Sequence, residues 1–556
     1  MSLIKARNVN LMSGRPAYTR RRFLRAAAAS AAMPLLGSSR SEAALDDGLT
    51  PATDPIFWGD LHTHTDLSDG NGSPEDNFRI AEAHLDFWTM ADHGYDEKVF
   101  NREYKGADGV RRILNDHWVE VQQLCRDYHK PGRFVPFLGY EWTNFQYGHH
   151  NVYYREDDQP IRMPATLPEL YASLKGVNAL VIPHHPGYPV SICGKDWNFH
   201  DENMSPFVEI YSMHGSSEEP EGIRPLLTPG SWMGPGSSGG SVQEGLGRGY
   251  KLGIIASSDS HSGHPGVYDK GLIGVQAAEL SRESIWESFR NRRVFGVTGD
   301  RIALGFSLNG RPMGGILAAA AMRTIRISAV GWDKVDRVDV IKNNVVFHSF
   351  SEPTGSSGSK GKTRFRFFLE WGWDNIADRE IEGTLDVEGG KILQAVPCFR
   401  GNAARLFGRG ITGLSASRCL WKSKTLRLQY PSLCRQFADA IAFEVEAGER
   451  DRLRFSFACE GLNQELSLSP GDIMQKSIVR YMEEIPATDD GAYWHVMKNR
   501  VKFKIHQGWP TDQLTLNLTC EDDRPEHPLG HDDFYYVRVS QRNGQRAWSS
   551  PIWVQR

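Results

Sequence analysis

Short apolar runs separated by longer polar stretches dominate the first three hundred residues. The runs cover residues 56–58, 85–91, 134–140, 179–183, 207–211 and 252–257, and each has the length of one buried strand. Between them, residues 74–83, 110–129 and 167–174 have the pattern of helices. Strands that alternate with helices pair in parallel, so we expect an α/β domain over residues 55–300.

After about residue 300 the pattern changes to strands alone. Apolar and polar residues alternate with a period of two over residues 324–330, 364–367, 453–457, 501–505 and 514–518. This alternation is typical of half-buried strands, and it predicts a β-sandwich domain over residues 301–556 with insertions between 370 and 450. Residues 535–541 and 546–554 flank Asn543-Gly544, which predicts a hairpin with a type I′ turn. We expect this half to pack against the first half and to shield it.

Residue types that bind metals follow the apolar runs of the first half. His62 and His64 come directly after the first run, and residues two apart on an extended chain project the same way. Four further runs end in Asp92-His93-Gly94, in Glu141 with Gly148-His149-His150-Asn151 beyond it, in His184-His185-Pro186-Gly187 and in Asp259-Ser260-His261. The carboxyl ends of barrel strands meet at one rim, so we expect these clusters to converge.

Histidine is concentrated in the same half of the chain. Fourteen of the 19 histidines lie between His62 and His264, and a purely structural role would not concentrate them so strongly. We therefore expect the first half to carry the chemistry. Imidazole nitrogen and carboxylate oxygen suit Zn, Mn and Fe alike, so we expect divalent metal ions whose identity the sequence does not choose.

Taken in order, these motifs resemble a known superfamily. Asp60-Leu61-His62-Thr63-His64 with Ser68-Asp69-Gly70, followed by the four later motifs, is similar to the PHP (polymerase and histidinol phosphatase) superfamily of metal-dependent phosphoesterases. Gly139-Tyr140-Glu141-Trp142 and the late Ala547-Trp548-Ser549-Ser550-Pro551-Ile552-Trp553 resemble an exported branch that is catalogued as a domain of unknown function. The resemblance implies a distorted (β/α)7-type PHP barrel over residues 55–300, followed by the β-sandwich domain.

The resemblance also implies two or three divalent metal ions and their ligands. The implied ligands are His62, His64, Glu141 and Asp259 for the first metal, Glu141, His149 and either His184 or His185 for the second, and Asp69, His93 and His261 for the third. His185 is favoured in its pair because it precedes Pro186-Gly187, as in the superfamily. Asp69 departs from the pattern because other members carry His there. The choice within the doubled histidines 149–150 and 184–185 stays open. Glu141, Asp259 and His261 are also expected to take part in catalysis.

Other residues near the motifs have less specific expectations. Asp60 and Asp92 precede ligands, and they either orient imidazoles or cap loops. Glu209 and His214 are expected to line the pocket or to bond to ligands. An insertion over residues 228–249, rich in Gly, Ser and Pro, is interpreted either as a binding loop or as a mobile surface loop. Candidate apolar walls for a substrate are Trp197 and Trp232.

The predicted metal site is compatible with three functions. The first is hydrolysis of a phosphomonoester or phosphodiester by a metal-bound hydroxide, because several cations supply the charge that a phosphate needs. The second is hydrolysis of a carbamate, an amide or a carboxylic ester by the same hydroxide, which the shortage of basic residues beside the motifs favours. The third is a non-catalytic protein whose β-sandwich binds envelope sugars, and the intact ligand set speaks against it.

The first 44 residues are predicted to be an export signal. Thr19-Arg20-Arg21-Arg22-Phe23-Leu24-Arg25 matches the twin-arginine pattern, and residues 26–37 form the modest apolar region that follows it, with a cut after Ala43 or Ala44. We therefore expect a periplasmic or secreted protein that uses the twin-arginine export machinery. A basic amphipathic N-terminal helix is the alternative interpretation.

The balance of charged residues limits the classes of molecule that the protein is expected to bind. The chain of 556 residues has 64 basic and 68 acidic residues, and removal of residues 1–43 leaves 56 and 67, a net charge of about −11. Such a surface does not favour nucleic acid or anionic lipid, so we expect a small-molecule substrate.

No run of about 18 uncharged apolar residues occurs, and we expect no stable membrane insertion. The seven cysteines give no disulfide framework, with at most one or two bridges expected within residues 398–520.

Overall fold

The computed structural model describes most of the chain after the predicted export signal. The described residues are 54–94, 117–220, 222, 224, 226, 236–351, 362–372, 379–400, 410–424, 438–482, 501–523 and 530–556. The predicted signal over residues 1–44, residues 110–116 of a predicted helix, and Trp232 lie outside the described residues. Predictions about these segments stay predictions, as does the domain boundary near residue 300.

The described part of the first half has eleven strands, of which six lie on the predicted apolar runs and five lie outside them. They are β1 (Ile56–Asp60), β2 (Phe87–Thr89), β3 (His93–Gly94), β4 (Val135–Trp142), β5 (His150–Tyr154), β6 (Ala179–Pro183), β7 (Phe207–Ser212), β8 (Gly215–Ser216), β9 (Gly253–Ala256), β10 (Leu272–Gln276) and β11 (Val294–Val297). The helices are α1 (Pro74–His84), α2 (Trp118–Tyr128), α3 (Leu167–Ser173), α4 (Val242–Gly247) and α5 (Arg282–Arg290). The first half is therefore a mixed α/β structure, as the pattern predicts.

Local sequence explains where the helices between these strands begin. Ser73 precedes α1, and its side chain accepts a hydrogen bond from the backbone N–H of Asp76 at 3.1 Å. Thr166 precedes α3 and forms a capping box with Glu169, in which each side chain accepts a hydrogen bond from the backbone N–H of the other residue. Such caps satisfy backbone donors that the first helical turn leaves without partners. Both helices therefore start at a fixed residue next to the strands that carry the site.

The strand directions differ in part from the prediction of parallel pairing. β1 pairs in parallel with β2, β2 with β4, and β7 with β9. However, β5 is antiparallel to both β4 and β6, and β10 is antiparallel to β1 and to β11. The prediction of uniform parallel pairing is wrong for β5 because the link between β4 and β5 spans only residues 143–149. A parallel crossover needs about a dozen residues or more, so this short link forces the chain to turn back.

The described strands do not close into one hydrogen-bonded barrel. The large sheet has the order β6-β5-β4-β2-β1-β10-β11 and continues beyond β11 into strands from the end of the chain. Strands β7, β8 and β9 form a separate sheet. Side chains of both sheets, including Phe137, Ile182, Phe207, Ile255 and Ile273, share one buried cluster. The two sheets thus pack around a common core, and the strand ends that carry the predicted ligands lie beside it.

The second half consists almost entirely of strands. They are β12 (Ala303–Leu308), β13 (Arg311–Pro312), β14 (Ile316–Leu317), β15 (Arg323–Val330), β16 (Val335–Lys342), β17 (Val345–Ser351), β18 (Thr363–Gly372), β19 (Glu380–Glu388), β20 (Lys391–Cys398), β21 (Gly410–Leu414), β22 (Arg418–Lys424), β23 (Asp439–Ala447), β24 (Arg452–Cys459), β25 (Leu462–Leu468), β26 (Ile478–Tyr481), β27 (Lys502–Ile505), β28 (Trp509–Pro510), β29 (Thr515–Asp522), β30 (Asp533–Gln541), β31 (Arg546–Ser549) and β32 (Ile552–Val554), with the short helix α6 (Pro470–Gln475). Sandwich-like sheets are present in this half, in agreement with the prediction.

Two layered assemblies of strands make up this half. In the first, the sheet β13-β12-β15-β29 shares a buried cluster with β16 and β30, for example Phe306 and Ile327 with Val338 and Val539. The second runs from β18 to β28, and its six-stranded and five-stranded sheets share a different cluster that includes Phe367 and Phe455. The second assembly is inserted in sequence between β17 and β29 of the first. The predicted insertion therefore exists, but it is longer than residues 370–450.

Strands from the end of the chain join the sheet that carries the site. β31 pairs with β11, with Trp548 opposite Gly296, and β32 pairs in parallel with β14. Ser550 accepts a hydrogen bond from the backbone N–H of Ile254 at 2.9 Å and donates to the carbonyl oxygen of Val294 at 2.5 Å. The last residues of the chain therefore hold β9 and β11 in place.

The C-terminal hairpin exists, but its turn is not of the predicted type. The backbone N–H of Gln541 donates to the carbonyl oxygen of Gln545, and that of Gly544 donates to the carbonyl oxygen of Gln541, each at 2.9 Å. Gly544 has φ +85°, whereas Asn543 is not among the described residues with positive φ. A type I′ turn needs positive φ at both central residues, so the prediction is wrong. The three-residue loop places only its last residue in the left-handed region.

The cysteines and the helices give two further results. Cys125, Cys193, Cys398, Cys419, Cys459 and Cys520 are free thiols. The remaining cysteine, Cys434, lies outside the described residues. None of the helices in the described part of the chain is long and apolar enough to cross a membrane.

Candidate metal centre

The site begins with two imidazoles at the end of β1. His62 and His64 are fully buried, and their Nε2 atoms lie 3.2 Å apart. Thr63, between them, points the other way and donates a hydrogen bond to the carbonyl oxygen of Thr89 at 3.4 Å. The backbone N–H of His64 donates to the carbonyl oxygen of Ser260 at 2.9 Å. The alternation of an extended chain thus aims both imidazoles at one point, and the backbone bond brings the Asp259–His261 segment beside them.

Asp259 approaches the same point from the segment after β9. Its Oδ1 atom lies 3.4 Å from Nε2 of His62 and 3.2 Å from Nε2 of His64. The backbone of Asp259 has φ +51°, which is unusual for a residue other than glycine. Such conformations cost free energy and occur where the surrounding structure requires them. Here the conformation sets the carboxylate against the two imidazoles.

Glu141, near the end of β4, connects separate groups of imidazoles. Its Oε2 atom lies 3.6 Å from Nε2 of His62 and 3.7 Å from Nε2 of His64. Its Oε1 atom lies 3.1 Å from Nδ1 of His93, 3.0 Å from Nδ1 of His149 and 3.6 Å from Nε2 of His184. The side chain is buried, and each of its oxygens faces a different set of nitrogens. This is the arrangement expected of a carboxylate that bridges two cations.

The structure separates the two doubled histidines. His149 faces Glu141, whereas His150 turns away, with Nδ1 2.8 Å from the carbonyl oxygen of Gly148 and its ring beside Trp142. His149, His184 and His185 have ligand atoms within 4.8 Å of one another. His149 is thus the member of the first pair that the structure brings to the site.

Both members of the second pair face the site. Adjacent residues of a strand normally point to opposite faces of the sheet. His185 follows β6 and has φ +32°, which places its backbone in the left-handed region. We infer that this departure from extended backbone turns its ring to the same side as that of His184, with the ring centroids 4.4 Å apart.

The predicted third group lies at the edge of the cluster. Oδ1 of Asp69 lies 3.4 Å from Nε2 of His93, 3.2 Å from Nε2 of His261 and 3.9 Å from Nδ1 of His64. The side chain of Asp69 is 45% exposed, whereas that of His64 is fully buried. The structure therefore brings together every predicted ligand position, with the third group nearest to solvent. The role of these residues as ligands stays a prediction.

Two residues that sequence reasoning placed only beside the site make direct contacts with it. Oε2 of Glu209 lies 3.1 Å from Nδ1 of His62. Nε2 of His214 lies 3.0 Å from Oδ2 of Asp259, and His185, His214 and Asp259 form one of the groups whose ligand atoms lie close together. The expectation that Glu209 and His214 bond to ligands agrees with this geometry. The position of His214 just after β7 marks it, because other strands carry predicted ligands at the same end. Glu209 is marked instead as the one carboxylate inside the apolar run 207–211.

Asp60 and Asp92 hold loops together. Asp60 accepts hydrogen bonds from the backbone N–H groups of Ser258 at 2.9 Å and Gly266 at 2.8 Å. Asp92 accepts hydrogen bonds from the backbone N–H and the hydroxyl of Thr65, both at 2.8 Å. Of the two expected roles, the hydrogen bonds of the described residues support loop capping and not the orientation of imidazoles. Both carboxylates therefore fix the segments that carry the predicted ligands.

Trp197 does not form a wall of the site. It is buried among Val208, Leu246 and Leu252, and its indole N–H donates to the carbonyl oxygen of Gly240 at 2.9 Å. The proposed role as an apolar wall is wrong, because hydrophobic packing holds this side chain in the core behind β7 and β9.

The pKa of His62 is shifted in the opposite direction from the pKa values of His64 and His184. Burial would lower the pKa of His62, but the carboxylates of Asp259 and Glu209 raise it well above its ordinary value. Burial, with His261 and His93 beside it, lowers the pKa of His64 to about 3. Burial also lowers the pKa of His184 to about 3, with a further contribution from His62. His64 and His184 are therefore neutral near pH 7, which is the form of histidine that binds metals.

The carboxylates are held in the ionised form. Burial would raise the pKa of Glu141, yet His93, whose own pKa is raised, holds the pKa of Glu141 well below its ordinary value. Burial likewise opposes ionisation of Asp259, and His62 and His214 lower its pKa well below the usual range. Ionised carboxylates beside the neutral imidazoles of His64 and His184 are a suitable donor set for divalent cations.

The hydrogen bonding of the cluster is incomplete within the protein. Nδ1 of His64, Nε2 of His149, both ring nitrogens of His184 and Nδ1 of His185 are buried and have no hydrogen-bond partner among the described residues. Leaving buried polar atoms without partners costs about 1–3 kcal/mol each. Several such atoms in one cluster fit a site that binds cations, because coordination would satisfy ring nitrogens that no protein group satisfies.

One family model matches the part of the chain that contains several of the predicted ligands. A family model described as a protein of unknown function, DUF3604, matches residues 76–186. The matched range contains His93, Glu141, His149 and His184. Over this range the match agrees with the predicted resemblance to a branch catalogued as a domain of unknown function.

Curated relatives match about half of the chain. The chain is 24% identical over 323 residues to an uncharacterized protein of Chlamydia pneumoniae, and the match covers 53% of this chain and 48% of the relative. Uncharacterized proteins of Chlamydia muridarum and Chlamydia trachomatis match at 23% identity over 326 residues and 24% over 332 residues, each covering 54% of this chain and 50% of the relative. The chain spans about half the length of the curated relatives it matches.

One solved structure aligns with most of the chain at low similarity. It comes from Bacteroides vulgatus and is described as a two-domain protein containing a predicted PHP-like metal-dependent phosphoesterase. The alignment covers 75% of this chain and 97% of the other, with 13% sequence identity and a TM-score of 0.31. A likeness at this score carries no argument about the fold or the activity of this chain.

Proposed function

We propose that the protein is a metal-dependent hydrolase, with a phosphoester as the favoured substrate. The observation that supports the proposal is the position of Glu141 between two sets of imidazoles. One of its oxygens faces His62 and His64, and the other faces His93, His149 and His184. A shared carboxylate of this kind is suited to a site with two or three cations.

The donor set divides into positions that follow the predicted ligand groups. His62, His64 and Asp259 would hold the first cation, with Glu141 shared. His149 and either His184 or His185 would hold the second, with Glu141 again shared; the ligand atoms of all three histidines lie within 4.8 Å of one another. Asp69, His93 and His261 would hold the third, nearer to solvent. Bound divalent cations would lower the pKa of a water molecule and stabilise negative charge on the substrate and on the leaving oxygen.

The residues of the chain would prepare this site in several ways. Glu209, 3.1 Å from Nδ1 of His62, fixes the orientation of that ring and leaves Nε2 directed at the centre. Deep burial of His62, His64 and Glu141 limits competition from bulk water. His261 has a side chain that is 30% exposed and stands at the open edge of the cluster, where a substrate would enter. We assign the entry side of the site to Asp69 and His261.

The wider setting belongs to the same proposal. We infer membership of the exported PHP-like branch from the order of the motifs. We also infer a distorted (β/α)7-type arrangement, in which two separate sheets of the described strands pack together in place of one continuously hydrogen-bonded barrel. We also infer a periplasmic or secreted location after twin-arginine export, from the Arg20-Arg21-Arg22 pattern. A small molecule is the proposed substrate because the acidic surface does not favour nucleic acid.

The favoured reaction can be tested with the full chain loaded with Mn²⁺ or Zn²⁺. The substrates are p-nitrophenyl phosphate and bis-p-nitrophenyl phosphate. We expect release of p-nitrophenol that is lost in His62→Ala and retained in the matched control His348→Ala, because His348 lies on β17 and is exposed. Equal release by the His62→Ala variant would reject the proposed site.

A second candidate is hydrolysis of a carbamate, an amide or a carboxylic ester at the same centre. Among the described residues, Asp69, Glu141, Glu209 and Asp259 form ion pairs or close contacts with histidines and with no Lys or Arg. The ring of Phe145 lies 5.3 Å from that of His149, and Val190 and Ile192 expose apolar side chains on the loop after His185.

The contact of Phe145 with His149 favours a substrate with an aryl or alkyl group. Turnover of a naphthyl carbamate without any phosphate release would favour the second candidate over the first. His62→Ala should abolish that turnover as well, because both reactions require the same ligands. Absence of turnover on every substrate, with cations bound, would instead support the non-catalytic alternative.

A further inference from the structure

Asp259 divides its two oxygens between different groups. Oδ1 faces His62 and His64, at 3.4 and 3.2 Å from their Nε2 atoms. Oδ2 points away from them and lies 3.0 Å from Nε2 of His214. The other ring nitrogen of His214, Nδ1, lies 2.9 Å from the hydroxyl of Tyr188. Tyr188, His214 and Asp259 thus form a chain of contacts that ends on a predicted ligand of the first cation.

One tautomer of His214 satisfies this whole chain of contacts. If the hydroxyl of Tyr188 donates to Nδ1, then Nε2 carries the proton and donates to Oδ2 of Asp259. Every polar atom of the three groups that takes part in the chain then has a suitable partner. The rings of His62 and His64 differ from that of His214, because their Nε2 atoms face each other at the predicted position of the first cation. The geometry of His214 therefore resembles that of a residue that supports a ligand.

We propose that His214 is a positioning residue for Asp259, and that Tyr188 in turn fixes His214. Held through Oδ2, the carboxylate presents Oδ1 alone to the first cation position. Ligating carboxylates are generally hydrogen-bonded by such supporting groups, and loss of the support typically weakens metal affinity 10–100-fold. The backbone of Asp259 has a positive φ, which is unfavourable for a residue other than glycine. Contacts that hold its side chain therefore also help to keep this backbone conformation.

The segment that carries His214 is anchored on two sides. The backbone N–H of Met213 donates to the carbonyl oxygen of Ser258 at 3.1 Å, directly beside Asp259. The backbone N–H of His214 donates to the hydroxyl of Ser212 at 3.2 Å. His214 lies in the tight connection between β7 and β8, whose pairing joins Tyr211 to Ser216. A residue in so constrained a turn can hold a partner at a fixed distance.

The end of the chain fixes the same segment a few residues later. Glu218 is buried and accepts hydrogen bonds from the hydroxyl of Tyr536 at 2.8 Å, from the indole N–H of Trp548 at 2.9 Å and from Arg538 at 3.1 Å. These contacts connect the segment after β8 to β30 and β31. The strands of the second half therefore help to place His214.

The inference depends on the proposed metal centre, and its test separates the two. The full chain is stripped of metal and titrated with Zn²⁺ or Mn²⁺ in competition with a chromophoric chelator, which gives the affinities and the number of ions bound at saturation. The variants are His214→Ala, His214→Gln and Tyr188→Phe, with His348→Ala as the matched control. Circular dichroism spectra and thermal unfolding confirm that each variant is folded.

We expect His214→Ala to lower the affinity for one tightly bound cation about 10–100-fold. The number of ions bound at saturation should stay the same. His214→Gln should recover part of the affinity, because its amide N–H can donate to Oδ2 of Asp259. Tyr188→Phe should give a smaller loss in the same direction, and His348→Ala should give none.

Two results would overturn the inference. Unchanged affinity in His214→Ala would show that Asp259 needs no support from this residue. A saturation number lower by one ion would show that His214 is itself a ligand. If the wild-type chain bound no cation, the proposed function would fail, and that outcome is distinct from both.

Discussion

The Nε2 atoms of His62 and His64 lie 3.2 Å apart at the end of β1, and Oε2 of Glu141 lies 3.6 and 3.7 Å from them. At most one proton fits between the two nitrogens, and burial keeps His64 neutral near pH 7. A shared cation satisfies both nitrogens and the carboxylate at once. This relationship is the physical basis of the proposed centre.

The doubled histidine after β4 gives a matched pair of variants. His149→Gln removes a ring whose Nδ1 lies 3.0 Å from Glu141, so we expect it to lower the affinity for one cation at least tenfold. His150→Gln changes a ring that faces Trp142 and the carbonyl oxygen of Gly148, and we expect unchanged cation affinity. Titration with Zn²⁺ against a chromophoric chelator measures both. Equal losses in the two variants would contradict the assignment.

Two neighbouring carboxylates, Glu218 and Glu219, test how much the contacts between Glu218 and strands β30 and β31 stabilise the fold. Glu218→Ala removes the acceptor for Tyr536, Trp548 and Arg538 in a buried setting, and we expect a cost of about 3 kcal/mol, seen as a lower Tm. Glu219→Ala removes an exposed carboxylate 3.9 Å from the same Arg538, so we expect a change within about 0.5 kcal/mol. Thermal unfolding followed by circular dichroism compares the two. A similar Tm for both variants would show that the buried network adds little stability.

A buried lysine predicts a pH dependence of stability. Lys195 is 1% exposed, its Nζ donates to the carbonyl oxygen of Phe199 at 2.9 Å, and burial lowers its pKa to about 7. Between about pH 7 and 10 the unfolded chain binds a proton that the folded chain does not, so this group makes stability rise with pH in that window. Below pH 7 the folded protein carries the full cost of a buried ammonium.

Replacement of this lysine removes the cost. We expect Lys195→Met to be more stable than the wild type by about 2–4 kcal/mol at pH 6, with the difference shrinking towards pH 10. Tm values measured at pH 6, 8 and 10 test the trend. A constant difference across this range would mean that Lys195 does not titrate as described.

Much of the site could be predicted because its signals are local. The position of His62 and His64 on one side of a strand end follows from the period of an extended chain. The strand ends at 89, 142, 183 and 256 lie within two residues of the ends of the predicted apolar runs. The grouping of Asp69 with His93 and His261 followed from the resemblance, and the geometry agrees with it.

Other features depend on conformation or on distant contacts that no local pattern encodes. His185 joins the site through a backbone with φ +32°, and the sequence cannot distinguish it from His184 by period alone. Trp197 could line a pocket or fill a core, and only its packing against Leu246 and Leu252 decides. The second sandwich-like assembly depends on long-range pairs such as Thr363 with Ala447, so its limits were not visible in the strand pattern.

Metal analysis of the purified chain tests the central claim most directly. The ions bound per chain are counted by mass spectrometry after gel filtration, for the wild type and for His62→Ala. We predict at least two divalent ions per wild-type chain and a loss of at least one in the variant. A wild-type chain with no more than one ion, or equal numbers in both proteins, would contradict a multinuclear centre built on His62, Glu141 and Asp259.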